Sequence, residues 1–157
     1  ALLSKNPLKF LSLLISSLFF VNCRSEKVNK PEANNPEAEN VVHLTTSEFK
    51  KMIFNYEVNK DWKYEGTQPA IIDFYADWCA PCRQLAPLLE EVAKEYNGKI
   101  IVYKVDTEKE RELTQNMNIS GLPTLLFIPA QGKPQMSKGL IPKESLVKAI
   151  NEVLLIK

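Results

Sequence analysis

A single histidine, His43, and three cysteines are all the imidazole and thiol groups in this chain of 157 residues. Tetrahedral zinc takes four nitrogen or sulfur ligands, and beside Cys79 and Cys82 only Cys23, in a different segment, and His43 are on offer. The composition therefore argues against a structural zinc site, and His43, alone at a strand end, is expected to have no chemical role. An excess of charge of one sign is missing too. Residues 41–157 hold 15 Lys+Arg against 15 Asp+Glu, a formal net charge of zero with no basic stripe, so nucleic-acid binding has no electrostatic basis. There is no internal repeat and no feature suited to NADPH or flavin. The one apolar run, Phe10 to Val21, is too short for a comfortable membrane span. The roughly 117 residues from Val41 onward suffice for one core and no more.

What is present is the pair Cys79-Ala80-Pro81-Cys82. It follows the apolar run Ala70 to Ala76, which reads as a buried strand, and precedes a helical pattern with Leu85, Leu88, Leu89, Val92 and Tyr96 on one face. The pair thus opens a helix at a strand's end. There the first backbone N–H groups are unpaired and the helix dipole is positive, so a thiolate on Cys79 is stabilised. The i, i+3 spacing brings Cys82 within reach to close a small disulfide ring, and C-x-x-C beside a βαβ pattern is a redox signature.

In Trp78-Cys79-Ala80-Pro81-Cys82 the chain resembles the bacterial thioredoxin family, with Ala80 where that family has glycine. Asp73 falls where the family keeps a buried acid, Pro87 at its helix-kinking proline and Lys104 at its strand lysine. Gly121-Leu122-Pro123-Thr124 is similar to its cis-proline loop, and Gly139 to the glycine beside the substrate groove. The resemblance spans about Val41 to Lys157. It implies an α/β thioredoxin fold, a mixed central sheet of about five strands with helices on both faces, acting as a monomer without cofactor or metal.

The same resemblance supplies roles. Cys79 is expected as the exposed nucleophile that attacks a substrate disulfide, and Cys82 as the resolving thiol. Asp73, raised in pKa by desolvation, would take the proton of Cys82, with Lys104 pairing to Asp73 and tuning it. A cis bond before Pro123 would set the Leu122 backbone beside Cys79, where it can pair with substrate as an added strand. Trp78, Pro81, Gly121, Leu122 and Gly139 would form a shallow apolar patch for that contact. Because Ala80-Pro81 lacks the histidine of oxidising relatives, the expected activity is reduction of protein disulfides. The alternatives are an envelope oxidase or isomerase, or a peptide- or metal-binding module that reuses the fold.

The segment before the domain suggests a location. Lys5 and Lys9 precede the apolar run and no acidic residue occurs before Glu26, the pattern of a signal peptide over residues 1–22. Phe20-Val21-Asn22-Cys23 resembles a relaxed lipobox, which makes Cys23 a lipidation site. A start at Ala1 carries the expectation that the extreme N-terminus is incomplete. Residues 23–40 lack aromatic and nearly all apolar bulk and read as a flexible tether, spanning roughly 20 to 25 Å as a coil. The expected setting is the cell envelope or periplasm, on a lipid-anchored protein fed by a membrane thiol reductase. In a cytoplasmic setting thioredoxin reductase would be the donor instead.

Periodicity and caps give the layout. Strands are expected at Val41–Leu44, 70–76, 99–105, 124–129 and 133–138. Helices are expected after Thr45, whose spacing to Glu48 makes a capping box, after Cys79 up to Gly98, over 107–116, and from Pro142. Residues 57–68 make the link to the active-site strand about ten residues longer than in the simplest thioredoxins and are expected to extend the first helix and pack Trp62 and Tyr64 on the fold. Cys82 and Pro123 are 41 positions apart, which leaves no room for the insertion of cytochrome-maturation relatives.

Overall fold

A computed structural model describes residues 41–154. The expected signal segment, the tether and Cys23 lie outside them. The elements run β1 (Val41–His43), α1 (Thr46–Met52), β2 (Ala70–Tyr75), α2 (Ala80–Glu95), β3 (Ile101–Asp106), α3 (Arg111–Asn116), β4 (Thr124–Ile128), β5 (Gln135–Lys138) and α4 (Lys143–Val153). The five strands form one sheet in the order β1-β3-β2-β4-β5. β1, β3 and β2 pair in parallel, β4 is antiparallel to β2, and β5 is antiparallel to β4. The mixed five-stranded sheet with helices on both faces is the expected thioredoxin fold.

Alternation along the strands explains the two-sided core, since successive side chains point to opposite faces. Ile71, Val102, Leu125 and Phe127 meet Leu85, Leu89 and Val92 of α2 and Leu146 and Ile150 of α4. Ile72, Phe74, Val105, Leu126 and Ile128 face the other way, onto Phe49 and Ile53 at α1 and Leu113 of α3. β2 is covered on both sides, which is why it reads as a continuous apolar run. The capping box is present: Glu48 N–H donates to Thr45 Oγ1 at 3.3 Å, and Thr45 N–H to Glu48 Oε2 at 2.8 Å. Gly98 follows α2 with φ +76°, a conformation glycine adopts without a Cβ penalty.

The first helix is not extended by residues 57–68: α1 stops at Met52, and no helix or strand is assigned from Ile53 to Pro69. Asn55 supplies the local reason, because its Oδ1 accepts from Glu57 N–H at 3.2 Å, a side-chain alternative to the helical ladder. The aromatics do pack as expected. Tyr56, Trp62 and Tyr64 lie on the α1/α3 cluster, with the Trp62 ring 4.8 Å from that of Phe54. Glu65 N–H donates to Ile53 O at 2.9 Å and Tyr64 Oη to Gln68 O at 2.6 Å, so the coil is stitched at both ends. α3 begins only at Arg111, because Asp106 Oδ1 accepts from Glu108 N–H at 3.0 Å and holds the preceding residues in a turn.

Candidate active site

β2 ends at Tyr75, and four residues later Cys79 is the N-cap of α2, in extended backbone. Cys79 Sγ accepts from Cys82 N–H at 3.2 Å, the interaction an N-cap oxygen makes in an ordinary helix. Proline in the first turn gives up no hydrogen bond, since that N–H is unpaired anyway. Cys79 and Cys82 are joined by a disulfide with Cα atoms 5.3 Å apart.

Both cysteines are only 3% exposed, so the expectation of an exposed Cys79 is corrected for the oxidised state. The two form a buried cluster with Ala76, and Tyr75 and Leu122 pack against it. Trp78, by contrast, is 68% exposed beside the pair.

The cis-proline loop arrives from β4. The Leu122–Pro123 bond is cis, Thr124 Oγ1 donates to Gly121 O at 2.7 Å, and Gly139 N–H donates to Pro123 O at 2.8 Å. Leu122 thus packs against the disulfide, and the next residue, Pro123, is bonded to Gly139. Leu122's own backbone groups make no hydrogen bond among the described residues, which leaves them free to pair with an extended chain.

Beneath the disulfide lies Asp73, 2% exposed on β2, its Oδ1 without a hydrogen-bond partner among the described residues. Burial pushes its carboxyl from 3.8 up to about 7, against the opposing pull of the Lys104 charge. A cavity of about 160 Å³, lined by Asp73, Tyr75, Ala76, Asp77, Cys82, Arg83, Ala86 and Lys104, connects this carboxyl with Cys82. The expected pairing of Lys104 with Asp73 is corrected. The two are register partners on β3 and β2, but no ion pair joins them, and Lys104 Nζ sits 4.7 Å over the ring of Tyr75. The sequence reading passed over Tyr75, although its i+2 spacing from Asp73 puts both on one face of β2. Among the described residues no His/Cys/Asp/Glu cluster could hold a metal ion.

A disulfide at a helix N-cap, over a buried acid and beside a cis-proline loop, defines a protein of thiol-disulfide exchange. The thioredoxin family model matches residues 40–152, and the chain belongs to the thioredoxin family. It is 41% identical to the thioredoxin of Borreliella burgdorferi over 111 residues, 71% of this chain and 95% of that one. It is 33% identical to thioredoxin 1 of Nostoc sp. over 111 residues, 71% and 94% of the two chains. The crystal structure of chloroplastic thioredoxin z superposes with a TM-score of 0.61 at 27% identity, over 72% of this chain and 93% of that one. The protein is a thiol-disulfide oxidoreductase of the protein-disulfide reductase class, acting on disulfide-containing proteins through a redox-active disulfide rather than a cofactor.

Proposed function

We propose that this protein reduces disulfides of envelope proteins while anchored to a membrane by lipid on Cys23. The observation that carries the reductase mechanism is the Cys82 N–H to Cys79 Sγ contact at the α2 N-terminus, with Asp73 in the cavity below. In the reduced protein the Cys79 thiolate attacks one substrate sulfur, forming a mixed disulfide and releasing the other sulfur as a thiolate. Cys82 gives its proton to Asp73, its thiolate attacks Cys79 Sγ, and the second substrate thiolate leaves. Two electrons pass to the substrate disulfide, and the Cys79–Cys82 disulfide forms.

Leu122 pairs with the substrate backbone as an added strand. Trp78, Pro81, Gly121, Leu122 and Gly139 make the apolar contact around Cys79, Pro123 shapes the loop, and Lys104 acts on Asp73 through its field. A membrane thiol reductase returns the electrons, because the location read from Lys5, Lys9, the run Phe10–Val21 and Cys23 lies beyond a cytoplasmic NADPH-linked donor. Insulin reduction with dithiothreitol tests the chemistry: Cys79→Ser should abolish turnover, and Cys82→Ser should trap a mixed disulfide. Turnover surviving in Cys79→Ser would overturn the assignment. Reduction in cells by soluble thioredoxin reductase, with Cys23 unmodified, would move the protein to the cytoplasm.

A further inference from the structure

Lys104 can reach two partners. In the parallel pairing of β2 with β3, Lys104 stands opposite Asp73, and Tyr75 follows two residues along the same face. The ammonium lies 4.7 Å from the Tyr75 ring centroid, within cation–π range. The ring is itself placed from a third strand: His43 of β1, at Lys104's level in the sheet, meets it edge-on at 6.3 Å and 67°. Asp106, opposite Tyr75, does not draw the lysine away, because its carboxylate is paired with Lys109 at 3.1 Å. From α2, Cys82 and Arg83 complete the wall around Asp73, and Arg83 Nη1 is committed to Asp77 O at 2.8 Å.

We propose that Tyr75 is a positioning residue that holds the Lys104 ammonium on its ring face and thereby keeps it out of an ion pair with Asp73. Of the other charged or titratable groups around the carboxyl, Arg83 is engaged elsewhere, His43 lies one strand further out, and Asp77, which lines the same cavity, is an anion rather than a competing cation. The lysine is therefore the cation whose position decides how Asp73 titrates. Held at the rim, it acts only through its field; swung inward, it would place an opposite charge in contact with the carboxylate and favour ionisation. The physical gain from the ring is that the ammonium keeps part of its hydration, whereas an inward pair requires desolvating it. Asp73 then stays able to accept the Cys82 proton near neutral pH, an assignment that rests on the reading of Asp73 given above.

The test is carboxyl NMR titration of the full chain carrying carbon-13 aspartate, in the oxidised form. Tyr75→Leu should move the Asp73 midpoint down by about one pH unit or more, the size expected when an opposite charge closes to contact. Tyr75→Phe, which keeps the ring face, should leave it in place. In a Lys104→Met background Tyr75→Leu should produce no downward shift, since coupled residues lose their effect together. An unmoved midpoint in Tyr75→Leu would overturn the proposal, as would an equal shift in the Lys104→Met background, which would mean that the ring merely shields the carboxyl from water. Stopped-flow resolution of the mixed disulfide separates the two readings. Unaltered resolution in Asp73→Asn removes Asp73 as acceptor, while the titration shift in Tyr75→Leu still supports the hold on Lys104.

Discussion

Asp73 is a carboxyl that folding removes from water while its Oδ1 finds no hydrogen-bond partner among the described residues, and this has consequences for stability as well as chemistry. Its value rises from 3.8 to about 7 in the folded protein. Between those values the native state holds a proton that the unfolded chain has released, so stability is fullest below the ordinary carboxylate range and falls as pH rises through that window. At about 1.4 kcal/mol per pH unit the ceiling on the loss is about 4 kcal/mol. Asp73→Asn keeps the shape and removes the charge. It should raise the urea midpoint at pH 8, change it little at pH 4, and flatten the profile between; a variant as pH-dependent as the wild type would locate the effect in another group. The same substitution should leave the first attack by Cys79 largely intact and slow resolution by Cys82.

Helix ends do most of the positioning. The α2 N-terminus offers its unpaired N–H groups to Cys79, and Ala80-Pro81 adds no charge or imidazole there. The redox potential should accordingly lie nearer about −270 mV than about −120 mV. Equilibration with glutathione measures it, and a value above roughly −160 mV would make the protein an oxidase or isomerase. The α1 N-terminus carries the capping box, and Thr45→Ala should cost about 1 kcal/mol of stability in denaturant unfolding by removing the side-chain acceptor of Glu48 N–H. The coil from Ile53 to Pro69 behaves differently. Lys50, which pairs with Glu57 at 2.9 Å and Glu112 at 3.3 Å, links α1 to this coil and to α3.

For the chain as a whole the open matter is attachment. If Cys23 is lipidated, the mature protein lacks residues 1–22, partitions into the detergent phase, and shows two titratable thiols after reduction. More than one acyl chain on that cysteine would hold it firmly. Cys23→Ala should leave an uncleaved precursor. A detergent-excluded mature protein with a titratable Cys23 would overturn the anchor and leave the redox assignment standing.

The site was legible wherever it depends on neighbours in the chain. Cys79 and Cys82 announce themselves because a thiol needs only the helix end that follows it, the Thr45–Glu48 box because its two bonds close within one turn, and the strand alternation because a pleat has period two. The Gly121-Leu122-Pro123 loop was legible through resemblance, and contact with the disulfide then came from the pairing of β4 with β2. Three features were decided by packing across strands. Lys104 took the Tyr75 ring, a choice set by the register of β1, β3 and β2 together. Cys79 became covered, because Leu122 from a distant loop closes over it. The coil after Met52 lies on the sheet because Trp62 and Tyr64 find apolar surface supplied by α1, α3 and the strands, whereas the Asn55 turn that ends the helix is local. Sequence proximity fixes which backbone groups can bond nearby; which partner a long side chain selects, and how deep a carboxyl lies, depend on surfaces brought together only when the sheet assembles.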